Sequence, residues 1–382
     1  MVLAPARIGI SRARSLKAAV TMKAVAIFVL ALSMVSCASY SLKSPTVEMI
    51  DAVFADYHKP GSPGASVAVI NNGKIVFSKA YGFADVENGV PTQTNSNFRL
   101  ASVTKQFTAT AVLMLADRGK LSLDSRLTDV LPGAPTYTRD VKIRHLLTHT
   151  AGLVDYEDLI PDSQTVQVLD RDVLTLLKNI DSVYFPPGAK YRYSNSGYAL
   201  LALVVEAVSG QPFAKFLKQN IFIPLGMNHT VAYEKGISTV DNRAYGHSKT
   251  ETGYLQTDQS VTSAVLGDGG IYSSAEELYL WDQELYDNRL ISAALRQQSF
   301  TPAILNDGTK TTYGFGWNVE PSHGVFSVSH TGSTRGFRNA ILRLPDRRLT
   351  IIILTNRNEG EPIEIARKIA DLILTQEQAV SE

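Results

Sequence analysis

The sequence has almost no cysteine. Cys37 is the single one in 382 residues, so no disulfide can close within the chain and stability has to come from a packed core. An excess of charge is missing too. The 37 basic and 36 acidic residues leave a formal net charge of +1, with no basic block of the kind nucleic-acid binding needs. The most apolar stretch, AVAIFVLALSMV at residues 24–35, has the length of a signal h-region and is too short to span a bilayer. There is no Gly-x-Ser-x-Gly elbow, which argues against an α/β-hydrolase. Neither a phosphate-binding Gly-Lys-Ser/Thr loop nor a dinucleotide fingerprint occurs, so no nucleotide cofactor is expected. What remains, 45% hydrophobic and 19% charged, is ordinary globular composition, long enough for one large domain or two intimately joined ones.

The amino end departs from that average. Residues 1–23 carry Arg7, Arg12, Arg14, Lys17 and Lys23 and no acid, ahead of the apolar run. Residues 1–36 therefore read as a signal peptide, with Met22 as an alternative start that would give it normal proportions. Their removal would leave the acids in excess. The run ends in MVSCAS, where small residues before Cys37 resemble a bacterial lipoprotein cleavage site, against the simpler reading of a plain signal peptide cut nearby. Residues 37–44 read as a tether, 45–375 as the domain and 376–382 as a tail. The expected location is outside the cytoplasm, periplasmic or anchored to a membrane through a lipid on Cys37.

Along the domain, Val47, Ile50, Val53 and Phe54 fall at helical spacing. ASVAVI at 65–70 alternates as a strand, NNG at 71–73 is a hairpin turn, and KIVFSKAYGFA returns as a second strand. The chain then becomes mainly helical, with helices expected from Ser102 to about Gly119 and near 141–148, 171–179, 196–208, 211–219 and 275–287. After about residue 312 strands return: YGFGWNVE, VFSVSHTG, RNAILRL and LTIIILTN read as an antiparallel meander, and IEIARKIADLILTQ closes the chain as a helix. The fold class is therefore α+β. An antiparallel sheet is built from both chain ends and flanked by terminal helices, around a large, mainly helical insertion.

Three short segments carry chemistry. Ser102 and Lys105 lie three apart at a helix start, on one face. A serine hydroxyl needs a base beside it to act as a nucleophile, and the free N–H groups of a helix start can help bind an oxyanion. No other lysine in the chain has a serine three residues before it. The second segment, YRYSNSGYALL at 191–201, places Tyr193 and Asn195 just before an apolar helix. There Tyr193 could offer its phenol oxygen to Ser102 and Asn195 could hydrogen-bond a substrate amide, or the loop could simply cap the helix. In the third, SVSHTGSTRGF at 327–337, His330 and Thr331 end a strand, Gly332 permits close approach to its edge, and Ser333 follows. His145 and His149 are four apart, but no Glu lies inside that motif and no third ligand is evident, so no metal is expected.

Ser-x-x-Lys, Tyr-Ser-Asn and His-Thr-Gly, in that order, resemble the serine β-lactamase and penicillin-recognising peptidase superfamily. The branch is the one holding class C β-lactamases, DD-carboxypeptidases, related esterases and D-aminopeptidases. PGASVAVINNGKIVFSKAYG, FRLASVTKQFTA, IRHLLTHTAGL and GDGGIYSSAEELYLW are similar to segments of that branch as well. The resemblance implies a serine hydrolase in which Ser102 is acylated and Lys105 and Tyr193 share the proton transfers. Asn195 would orient the substrate amide, His330 and Thr331 would receive the substrate's carboxylate end, and the amides of Ser102 and Ser333 would form the oxyanion hole. The implied substrate is an amide or ester, such as a peptidoglycan-derived D-amino-acid peptide, with no cofactor. The alternatives are a class C-like β-lactamase and a non-catalytic cell-wall scaffold. His330 stands where most β-lactamases have Lys, and Arg335 is the candidate for the missing positive charge. If a charged His330 holds a carboxylate, affinity should weaken as pH rises through the imidazole pKa of about 6.5.

Overall fold

In the computed structural model the described residues are 42, 44–322 and 324–381. Cys37, the leader and most of the tether lie outside them. The principal elements, in chain order, are α1 (Ser44–Val53), β1 (Ala65–Asn71), β2 (Lys74–Tyr81), α2 (Lys105–Asp117), α3 (Asn195–Ser209), α4 (Ala275–Glu284), β3 (Asn318–Val319), β4 (Val328–Thr334), β5 (Phe337–Leu344), β6 (Leu349–Thr355) and α5 (Pro362–Ser381). The six strands form one antiparallel sheet in the order β3-β4-β5-β6-β1-β2. The two chain ends meet where β1 pairs with β6, Val67 opposite Ile353 and Val69 opposite Ile351.

The period of two along these strands sorts their side chains onto two cores. Val67, Val69, Ile351 and Ile353 join Ile50 and Phe54 of the amino-terminal segment and Ile369 and Ile373 of α5. Ala68, Ile70, Ile352 and Leu354 face the other way, into a larger core with Phe107, Tyr198 and Trp281 from the helical insertion. Because β1 and β6 are covered on both faces, every residue in them is buried, which is why LTIIILT reads as a continuous apolar run. The β1–β2 turn is made by Asn72 and Gly73, both at positive φ (51° and 75°), the geometry that favours Asn-Gly in a two-residue hairpin. A buried ion pair, Arg343 Nε to Asp282 Oδ1 at 2.6 Å, ties the sheet to α4.

Two expectations change. YGFGWNVE is a strand only at Asn318–Val319, because its glycines serve turns: Gly316 has φ +78°, and the Gly314 amide donates to the Trp317 carbonyl at 2.9 Å. The 376–382 tail is helical as far as Ser381. Thr46 donates to Gln376 at 2.6 Å and Asn71 to Glu377 at 2.8 Å, so this last part of the helix is tied to α1 and to the end of β1.

Candidate active site

Ser102 lies at the junction of the sheet with the helical insertion. It sits in a 3-10 turn, Ala101–Thr104, that runs directly into α2. Ala101 before it is held at φ +50°, a left-handed conformation that costs a non-glycine residue energy and that surrounding contacts must enforce. Those contacts are visible. The Asn339 side chain donates to the Arg99 carbonyl at 2.8 Å, and the Leu100 amide donates to the Ile271 carbonyl at 2.8 Å. Gly332 on β4 comes so close that a Cβ there would lie 2.0 Å from the Leu100 carbonyl oxygen, so only glycine lets this strand run against the nucleophile turn. Among the described residues no strand pairs with the outer edge of β4 beyond Ser329, where its pairing with β3 stops. Thr331 and Ser333 are exposed on that strand.

Lys105 is fully buried. Its Nζ donates to Ser102 Oγ at 2.9 Å, to Asn195 Oδ1 at 2.8 Å and to the Asp268 carbonyl at 3.0 Å. Its ammonium also lies 5.0 Å from the centre of the Tyr193 ring. Ser102, Lys105, Asn195 and Tyr193 therefore converge from two helix starts and the loop before the second. The Tyr193 hydroxyl has no hydrogen-bond partner among the described residues. The ring packs on His149 at 4.1 Å between centroids. His149 also accepts the Ser194 amide on Nδ1 at 3.2 Å and the Arg192 amide on its carbonyl at 3.0 Å, and so fixes the Tyr193 segment. His145 uses its Nδ1 to accept the Lys142 amide at 3.1 Å.

His330 is placed differently from the expectation of a charged carboxylate receiver. It is 2% exposed. Its Nδ1 contacts the Thr331 carbonyl at 2.7 Å and its Nε2 the Tyr313 hydroxyl at 2.8 Å. The network assigns the proton to Nδ1, with Tyr313 donating to Nε2. Burial, with the nearby Lys105 charge, pushes the imidazole pKa down to about 3. His330 is therefore neutral between pH 5 and 8, and its charge contributes no step to substrate affinity there. Because the folded pKa lies below the usual 6.5, any stability linked to this group is full above about pH 6.5 and is lost as pH falls toward 3. The apparent KM should have the same pH 5–8 profile in wild type and in His330→Gln. A step near pH 6.5 that disappears in the variant would restore the cationic role. Arg335 stands exposed in the β4–β5 turn.

The acids of the cleft are not among the site residues expected from the sequence, although Asp268 lies in the family-like segment GDGGIYSSAEELYLW. Asp155 Oδ2 accepts the Asn195 amide at 2.7 Å, and Glu157 Oε1 accepts from Asn195 Nδ2 at 3.2 Å. Asp268 Oδ2 accepts the Tyr156 hydroxyl at 2.9 Å. Partial burial, with Asp268 and Asp155 beside it, pushes Glu157 up to about 7, while Lys105 and Asn195 pull the other way. Burial raises Asp268 to about 6 despite Lys105. Asp170, also buried and raised to about 7, accepts the Leu266 and Gly267 amides at 2.9 Å and so anchors the turn that presents the Asp268 carbonyl.

Residues 50–376 match the Beta-lactamase family. The chain belongs to that family. It is 37% identical over 327 residues to Penicillin-binding protein 4* of Bacillus subtilis (strain 168), covering 81% of this chain and 72% of that protein. It is 29% identical over 318 residues to a D-aminopeptidase of Brucella anthropi, covering 82% of this chain but only 59% of the relative's length. The crystal structure of a penicillin-binding protein from Bacillus halodurans superposes with a TM-score of 0.71 at 27% identity, over 86% of this chain and 98% of that one. The fold is that of the β-lactamases and penicillin-binding proteins, and the chain is a β-lactamase-related serine hydrolase of the DD-peptidase/amidase type.

Proposed function

We propose that this hydrolase works through an acyl-enzyme on Ser102. The observation that carries the reading is the Lys105 ammonium, buried and shared between Ser102 Oγ and Asn195 Oδ1. Ser102 Oγ attacks the carbonyl carbon of an amide or ester, and its proton passes to the Lys105–Tyr193 pair in the form that has one proton fewer than ammonium plus phenol, whose amine or phenolate lone pair accepts it and later returns it to the leaving group. The carbonyl oxygen becomes an oxyanion held by the amides of Ser102 and Ser333 on the two walls of the cleft. As the carbon–nitrogen or carbon–oxygen bond breaks, the leaving group takes a proton, and water then releases the acyl group. Asn195 orients the substrate amide, and Thr331 and Ser333 on the open edge of β4 line the path of an extended substrate. Substrates in this reading are amino-acid or peptide amides and esters, including peptidoglycan-derived peptides.

The test is intact-protein mass spectrometry after exposure to a penicillin and, separately, to a serine-reactive fluorophosphonate, with the adduct mapped by peptide digestion. A phosphonate adduct on Ser102 is expected. A penicilloyl adduct that persists fits slow deacylation of the peptidase kind, whereas consumption of the drug without accumulation would favour the β-lactamase alternative. No adduct with either reagent would favour the scaffold reading.

We also propose that the protein is exported and tethered through Cys37. The basic stretch followed by an apolar run and MVSCAS supports this. Release of Cys37→Ser into the soluble fraction would agree with it, and unchanged membrane retention would remove the tether.

A further inference from the structure

A cavity of about 370 Å³ lies outside the cleft at Ser102, which measures about 40 Å³, and shares no lining residue with it. It has the size of a small-molecule site. Leu203, Phe213, Tyr233, Ile237 and Leu266 give it an apolar lining. Ile237 is 79% exposed, more than any other large hydrophobic residue described, so an occupant would cover apolar surface that the fold leaves in water.

The charged residues around this lining are not equally engaged. Asp170 accepts the Leu266 and Gly267 amides, one on each carboxylate oxygen. Glu206 Oε1 accepts the Phe213 amide at 2.7 Å. Arg171 and Lys235 are exposed, and neither forms a side-chain hydrogen bond or an ion pair among the described residues. Glu234 is the one lining acid with no carboxylate partner there. Two free cations thus face one free anion, and the balance favours a ligand with a negative head and an apolar body.

The cavity also touches the hold on Lys105. Asp170 and Leu266 both line it. Leu266 opens the helical turn Leu266–Gly269, whose Gly267 carbonyl accepts from Thr108 at 2.7 Å and whose Asp268 carbonyl accepts from Lys105 Nζ at 3.0 Å. A Cβ on Gly267 would lie 2.3 Å from the Tyr198 carbonyl oxygen, so the turn is pressed against α3, and Asp170 is its anchor beside the cavity. Burial already raises Asp170 to about 7. An apolar chain beside it excludes more water and an anionic head adds a like charge, and both favour the protonated acid. Protonated, Asp170 accepts more weakly from the two amides, and the Asp268 carbonyl is held less firmly at Lys105.

We propose that this cavity is a regulatory site for an amphipathic carboxylate, a medium-length acyl chain ending in a free carboxyl group, and that its occupation slows acylation at Ser102. The coupling rests on the acyl-enzyme reading; the binding does not.

The test is calorimetric titration of the full chain with octanoate, butyrate, octylamine and octanol, together with the rate of fluorophosphonate labelling at Ser102. Octanoate is expected to bind about 100-fold more tightly than butyrate, which lacks four methylenes. It should bind at least about fivefold more tightly than octylamine, the scale of exposed charge pairs. Arg171→Gln combined with Lys235→Gln, both on the surface, should remove the preference for octanoate over octanol. Leu203→Trp should abolish binding by filling the cavity. Saturating octanoate should slow labelling of the wild type by about fivefold, the low end of coupling between sites, and the rate should level off above zero. No octanoate binding at millimolar concentration overturns the proposal, and so does octylamine binding as tightly as octanoate. A labelling rate that falls toward zero, and does so equally in Leu203→Trp, places octanoate in the cleft and also overturns it. An unchanged rate with octanoate bound removes the regulatory half. If Ser102 takes no label at all, the acyl-enzyme reading fails, while the titrations still decide whether the site exists.

Discussion

Ser102→Ala is expected to lower turnover of an activated ester or amide by a factor of at least about 10⁴, while the thermal midpoint stays within a degree or two of wild type. The size follows from the chemistry. Without Oγ there is no acyl-enzyme, and what survives is transition-state binding by the oxyanion donors and substrate contacts, which in comparable hydrolases leaves about 10³-fold over water. The intact fold follows from the packing. The hydroxyl is half-buried and its one described side-chain contact is with Lys105 Nζ at 2.9 Å. The left-handed turn at Ala101 is enforced by Leu100, Asn339 and Gly332, none of which the substitution touches. Steady-state hydrolysis and a melting curve on the same preparation check both halves. Activity within tenfold of wild type would move the nucleophile elsewhere.

Local signals made the sheet and the nucleophile turn legible in the sequence. The Asn72–Gly73 hairpin, the period of two in ASVAVI, the continuous apolar run at 349–355 and the paired Ser102 and Lys105 at a helix start all concern residues that touch their own neighbours in sequence. Legibility failed where a residue's role is set by a distant partner. His330 reads as a strand-end imidazole able to carry charge until Tyr313, on another segment, accounts for its Nε2. Tyr193 reads as a loop residue before a helix, and only the packing of its ring on His149 shows what holds it beside Lys105. Asp155 and Glu157 lie at a short 3-10 turn whose sequence resembles any polar turn, and Asp268 lies in the family-like GDGG segment without its own role being marked there. Their importance comes only from sharing a partly buried space with Lys105 and Asn195, and no spacing in the chain announces it. The signal that could have found them is chemical: a buried lysine in a catalytic helix requires nearby acceptors and counter-charge.

Lys105→Met tests that last requirement. Methionine keeps much of the side-chain length and fills the space with an apolar thioether, so the core around α2 remains filled. The charge and the three donated hydrogen bonds are gone. The nucleophile loses the amine beside it, and kcat/KM is expected to fall by about 10²–10⁴, the range for loss of a positioned acid–base group. A second, independent signature lies in the acids. Lys105 lowers the pKa of both Asp268 and Glu157, which burial has already raised to about 6 and about 7. Without it both rise further. A carboxyl whose folded pKa is above its unfolded value favours the native state at low pH and loses that advantage as pH climbs through the folded value. The melting-point difference between wild type and Lys105→Met should therefore be larger at pH 8 than at pH 5. A variant with the expected rate loss but an equal melting-point difference at both pH values would show that Lys105 serves the chemistry alone. One that loses less than fivefold in kcat/KM would remove it from the proton path.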